Sequence, residues 1–155
     1  MRKFCYLLGA TIISVCLAAQ SAWPQHCSAP KNRIFYSTAT ASVSLVEGFK
    51  EVKVLSIICS NTDPSNSYNV QFSVVRESTP YPLVTVTIPA NAGNAAGKAA
   101  KSIVTAENIP GLPIDAQHNP YLVLDSSDTL QMATETTVTN GKRISCIAIV
   151  CEPPA

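Results

Sequence analysis

The chain has 155 residues, with 11 Lys and Arg against 10 Asp and Glu, and charged residues make up only 14% of it. A formal net charge of +1 provides no broad field to gather nucleic acid or anionic lipid, so nucleic-acid binding is disfavoured. The length is that of one domain able to bury a core without metals or dense cross-linking. Its 11 prolines, among many Ser, Thr, Val and Ala residues, point to short strands joined by frequent turns.

Met1, Arg2 and Lys3 are followed by an uncharged apolar run, FCYLLGATIISVCLAA, that ends in small residues. Residues 1–22 therefore read as a signal peptide cleaved near residues 19–22, or as a retained membrane anchor. The run is shorter than the ~20 residues that span a bilayer as a helix, and the leader, if uncleaved, is the chain's one route to a membrane. Residues 23–32 form an extended arm, since SAWPQHCSAPK holds two prolines and no periodicity. Trp23, the sole tryptophan, reads as a solvent-side anchor, with packing onto the domain or insertion into a neighbour as the alternatives. Residues 33–155 form the domain.

Within the domain, residues 33–37 and 41–46 are short strand candidates. The stretch 51–77, EVKVLSIICSNTDPSNSYNVQFSVVRE, carries two apolar runs around a polar turn. In the first run Val52, Val54, Ser56 and Ile58 alternate with Lys53, Leu55, Ile57 and Cys59, as in a central strand covered on both faces. In the second, Val70, Phe72 and Val74 point one way and Asn69, Gln71 and Ser73 the other, so one face meets water. Residues 61–67 tolerate turn dihedrals or bond their own backbone, which predicts an antiparallel hairpin with a long tip.

Residues 78–82, STPYP, break the pattern and 83–88 resume it as a strand. Residues 90–100, rich in Ala and Gly, read as a flexible loop able to bury little surface. Ile103 and Val104 begin another strand, 109–113 is extended or turning, 121–124 is a short buried strand, 125–128 a tight turn and 129–133 a strand. Asn140-Gly141 predicts a tight hairpin pairing 136–139 with 144–151. That last strand is apolar on both faces and belongs beside 51–59. About eight short strands with turn signals between them predict an all-β fold, an antiparallel β-sandwich of jelly-roll type with Greek-key connections.

Two of the six cysteines lie in the leader, and Cys27, Cys59, Cys146 and Cys151 lie outside it. That even number suits disulfides in an exported protein, with buried reduced thiols as the alternative. Cys146 and Cys151, five apart on one strand, point to opposite faces and do not pair with each other; one of them staples Cys27 or Cys59.

Chemical signatures are sparse, so no enzyme activity is expected. G-x-S-x-G is absent, and His118 sits in a proline-flanked loop as a solvated residue. Asp125 and Asp128 admit a reading as a glycosidase pair or calcium ligands, but side-chain capping of a turn explains them with fewer assumptions. Residues 93–98, GNAAGK, have the wrong spacing for a phosphate loop, and no Cys/His cluster has metal-ligand spacing. No catalytic residue, cofactor or metal is expected. An exposed loop on a rigid sheet is a candidate for partner contact, which singles out Asn61, Asp63, Ser65 and Asn66.

The order IICSNTDPS, NVQFSVV, Asn108-Ile109-Pro110, the Leu-x-x-x-Asp-x-Leu turn from Leu124 to Leu130, and the apolar strand ending at Glu152 resembles small phage virion proteins that decorate capsids or tails. The resemblance covers about residues 41–152. A Gly usual before the turn Asp is Ser127 here. It implies a non-enzymatic structural role in a virion, with other copies or other virion proteins as partners. A leader and disulfides are out of place in the reducing cytoplasm where such particles assemble, so a secreted or periplasmic β-sandwich binding a ligand, carbohydrate or surface partner is the alternative.

Overall fold

A computed structural model describes residues 30–38, 40–47 and 51–152; the leader and most of the arm, with Trp23 and Cys27, lie outside them. The described residues form an all-β sandwich of nine strands and no helix: β1 (Lys31–Ser37), β2 (Val43–Glu47), β3 (Val52–Asn61), β4 (Tyr68–Arg76), β5 (Thr79–Ile88), β6 (Lys101–Ser102), β7 (Leu122–Leu124), β8 (Thr129–Thr134) and β9 (Ile144–Cys151). One sheet runs β1-β9-β3, with β6 and β7 sharing the far edge of β3, and the other runs β2-β8-β4-β5. All pairings are antiparallel. Val54, Ile57, Leu124, Ile144, Ala148 and Val150 of the first sheet meet Leu45, Val70, Phe72, Ile88, Leu130 and Met132 of the second in the core. Burial of these alternate positions is what selects strand over helix here.

The stretch 51–77 contains both expected strands but not the expected hairpin. β3 pairs with β9, β6 and β7, whereas β4 pairs with β5 and β8 in the opposite sheet. Residues 62–67 therefore carry the chain across the sandwich. The phase of β3 also shifts, because the register slips between Val54 and Ser56. Ile57, Cys59 and Asn61 face the core while Ile58 is 39% exposed, so the outer face of β3 is only partly covered. A bulge adds one residue and reverses every side chain after it.

The tight hairpin lies instead between β4 and β5. Arg76 pairs with Thr79, and Glu77 and Ser78 between them have φ of 51° and 66°, the positive values of a two-residue turn whose twist matches the strands. Neither is Asn or Gly, which hid the turn in the sequence. β5 then runs straight through Pro80 and Pro82, where a break was expected; it is an edge strand, where a missing N–H costs no ladder bond. Replacing Glu77→Asn with Ser78→Gly relieves two left-handed residues and should stabilise the fold by about 1 kcal/mol. An unchanged or lower urea midpoint would contradict this.

Three further expectations are corrected. The Ala- and Gly-rich segment 90–100 packs against β3: Ala92 is buried, Asn61 N donates to Ala92 O at 2.8 Å, and a Cβ on Gly93 (φ 67°) would meet Ala100 Cβ at 2.9 Å and Ser60 Cβ at 3.0 Å. Ile103 and Val104 follow β6 rather than forming it, and both are buried. At Asn140-Gly141 the turn is real, with Lys142 N donating to Thr139 O at 2.8 Å, but residues 136–139 form no strand. Among that pair only Gly141 has positive φ, so the turn lacks the geometry of a two-residue hairpin.

Candidate partner-contact surface

Two polar clasps hold the ends of the sandwich. At one end, Asn61 is fully buried, and its Nδ2 donates to Asn66 O at 2.8 Å and Pro89 O at 3.1 Å, while its Oδ1 accepts from Asp63 N at 2.8 Å. Asp63, 2% exposed, accepts from Ser65 N at 2.9 Å, Asn66 N at 3.0 Å, Asn66 Nδ2 at 3.0 Å and the Tyr68 hydroxyl at 2.7 Å. That hydroxyl lies 2.8 Å from Thr139 Oγ1. Hydroxyls of Thr139 and Tyr68, with Asn66 and the Ser65 N–H, hold the Asp63 carboxyl well below the usual carboxylate range. Of the four loop residues singled out in the sequence, Asn61 and Asp63 are thus spent internally, and Ser65 and Asn66 are exposed.

At the other end Arg76 spans the turn from β7 to β8. Its Nε and Nη2 donate to the two oxygens of Asp128, each at 2.7 Å, and Nη2 also reaches Asp125 Oδ2 at 2.7 Å. Asp128, 3% exposed, caps Asp125 N at 3.1 Å, and the hydrogen bond from Arg76 depresses its pKa. One guanidinium thus engages both carboxylates, and the capping role read from the sequence is what the geometry shows. His118 is exposed with φ of 64°, in a loop closed by Asp115, which accepts from Gln117 N at 2.9 Å and Asn119 N at 2.8 Å. Among the described residues no three His, Cys, Asp or Glu side chains converge as for a metal ion.

Cys59 and Cys146 face each other across β3 and β9, fully buried, and form a disulfide with Cα atoms 4.1 Å apart. Cys151, on the opposite face of β9, is also disulfide-bonded.

The outward face of the five-stranded sheet carries most of the exposed apolar bulk. Ile34, Ile147 and Ile58 are direct cross-strand neighbours on β1, β9 and β3, and they are 71%, 40% and 39% exposed. Nearer β7 the sheet meets the loop before it, and a groove of about 540 Å³ opens, lined by Ile114, Tyr121, Val123 and Lys53 and by the carboxylates of Glu51, Asp115 and Asp125. Ile114 is 57% exposed, and the Lys53 ammonium sits 5.2 Å from the Tyr121 ring centroid. The loop is fixed by the Ile114 to Pro120 bridge and by Tyr121 N donating to Pro113 O at 3.0 Å. Sequence reading missed this groove; the signal was Ile114 and Tyr121, two large apolar side chains bracketing a polar loop.

No family model matches the chain, and no curated protein matches it. Among solved structures it is similar to T=1 particles derived from infectious bursal virus, at 10% identity and a TM-score of 0.31 over 85% of this chain. It is also similar to the Gt strain of infectious bursal disease virus, at 11% identity and 0.28 over 85%, and to the Gx strain, at 8% and 0.26 over 80%. The chain spans about a third of the length of those chains, 35%, 37% and 32% respectively. These structures are viral, though not of a phage, and the TM-scores are too low to define the topology of this sandwich.

Proposed function

We propose that the protein is a non-enzymatic structural and interaction module, a subunit decorating the capsid or tail of a phage virion, and that it docks on other virion proteins through the groove beside β7. The observation that carries this reading is the groove itself, where exposed Ile114 and Val123 and the Tyr121 ring stand among Lys53 and the carboxylates of Glu51, Asp115 and Asp125, apolar surface set among charged groups of the kind that protein interfaces use. The motif order over residues 41–152 supports the virion setting. An Ile114→Asp, Val123→Asp double variant should melt like the parent yet fall by an order of magnitude in copy number on gradient-purified particles; undiminished incorporation would refute the reading.

A second reading is favoured by the buried Cys59–Cys146 bond together with the bonded Cys151: an exported β-sandwich binding a ligand, carbohydrate or surface partner, since disulfides persist in oxidising compartments. Intact-mass measurement on purified protein separates the two. A start at Met1 with reduced thiols fits assembly in the cytoplasm, and a mature start near Trp23 with disulfides intact fits export.

A further inference from the structure

At the end of the five-stranded sheet away from the groove, a pocket of about 540 Å³ lies between the end of β1 and the 137–143 loop, with Tyr36, Thr38, Thr137, Thr139, Lys142 and Arg143 in its wall. That volume is within the range of small-ligand sites, about 300–1,000 Å³. We propose that this pocket binds an acidic saccharide, a sugar ring carrying a carboxylate. The Arg143 guanidinium takes the carboxylate, the Tyr36 ring lies under the sugar, and threonine hydroxyls meet its hydroxyls.

Strand pairing places the two principal groups. Tyr36 lies opposite Ser145, and Arg143, two residues before Ser145, shares its outward parity. The Arg143 guanidinium accordingly stands 5.9 Å from the Tyr36 ring centroid, and that tyrosine is 62% exposed. Arg143 is fixed through its backbone: its N–H donates to Thr62 Oγ1 at 2.8 Å, and its carbonyl accepts from Thr62 N at 3.1 Å and Thr62 Oγ1 at 3.2 Å. Lys142 N donates to Thr139 O at 2.8 Å, and the Thr139 hydroxyl lies 2.8 Å from that of Tyr68. The wall is thus set before a ligand arrives, which lowers the ordering cost of binding. Charge then selects the ligand. Among the described residues, ion pairs engage Lys31, Arg33 and Arg76, and none engages Lys142 or Arg143. Asp63, behind Thr139, is buried and accepts from Ser65, Asn66 and Tyr68. A planar guanidinium with a lysine beside it matches a carboxylate, an exposed aromatic face takes the C–H side of a sugar ring, and hydroxyls exchange hydrogen bonds with hydroxyls. The groove beside β7 lies at the Lys53 end of β3 and this pocket at the Asn61 end, about 26 Å along the strand. A subunit seated by its groove would leave the pocket open, and the proposal does not rest on that seating.

The test is an NMR titration of the isotope-labelled full chain with D-glucuronate, D-galacturonate and N-acetylneuraminate, against D-glucose and acetate. At least one of the three acids should shift the backbone amides of residues 139–143. It should bind about tenfold or more tightly than glucose, the worth of a charge-assisted hydrogen bond, and several-fold more tightly than acetate, which lacks the ring. Arg143→Gln, which keeps the backbone bonds to Thr62, should abolish the preference over glucose, and Tyr36→Ser should abolish the preference over acetate. Both side chains are exposed, so each variant should retain the parent's amide spectrum away from the pocket. Binding of none of the acids, binding no tighter than acetate, shifts confined to other residues, or parent-like affinity in Arg143→Gln would overturn the proposal. No virion partner enters these titrations, so their outcome is separate from that of the groove variants.

Discussion

A Cys59→Ala, Cys146→Ala double variant should be the most destabilised of the simple variants, losing about 4–5 kcal/mol from restored chain entropy alone. The bond spans 87 residues of sequence, and loop-closure entropy for a ring of that size gives that magnitude. It joins β3 to β9 at the centre of the five-stranded sheet, with both sulfurs buried, so truncation also leaves a gap in a close-packed core. For a domain of this size the loss corresponds to a fall in Tm of roughly 15–20 °C. Thermal melts of parent and variant, each followed by circular dichroism, measure it. A shift under 5 °C would mean that the cross-strand pairs flanking the bond hold β3 and β9 without it.

The strands were far more legible than their partners. β9, apolar on both faces, was expected beside β3 and lies there, because an apolar, β-branched run is written locally in residue type, although its outer face, with Ile147 40% exposed, is only partly covered. The alternation of Val70, Phe72 and Val74 was legible for the same reason. Pairing is not local. Residues 61–67 advertise a turn, but nothing in them records whether the chain reverses within a sheet or crosses to the other; that is decided by β8 and β9, about sixty to ninety residues onward. The bulge at Val54 to Ser56 and the turn at Glu77-Ser78 escaped because neither carries the glycine or asparagine that marks such backbone. Asn61 and Asp63 were legible as turn formers, whereas their burial depends on Pro89, Ala92 and Thr139, remote positions that a reading of neighbours does not join. The groove escaped likewise, being assembled from β3, β7 and the loop at 114–121.

Replacing Asp63→Asn should lower the Tm at neutral pH by about 5–10 °C and flatten the acid limb of the stability profile. An amide of the same shape keeps one acceptor but turns its other position toward Asn66 Nδ2 and the Tyr68 hydroxyl, where the carboxylate accepted from both. The sign of the pH effect follows from the direction of the shift. The folded-state pKa of Asp63 is depressed, so between that value and the ordinary value near 4 the unfolded chain binds a proton that the native chain refuses, and stability rises with pH across that window. The contribution is complete above about pH 4–5 and is lost as the pH falls through the folded value. Asp115, Asp128 and Glu152 are shifted the same way, chiefly by the Asn119 N–H, by Arg76 and by Lys31 respectively, so the parent should unfold steeply on acidification and the variant less steeply. Urea midpoints from pH 2 to 7 test both halves. Parallel profiles would show that the Asp63 charge contributes nothing, and an unchanged midpoint at pH 7 would show that the crossing between sheets holds without this clasp.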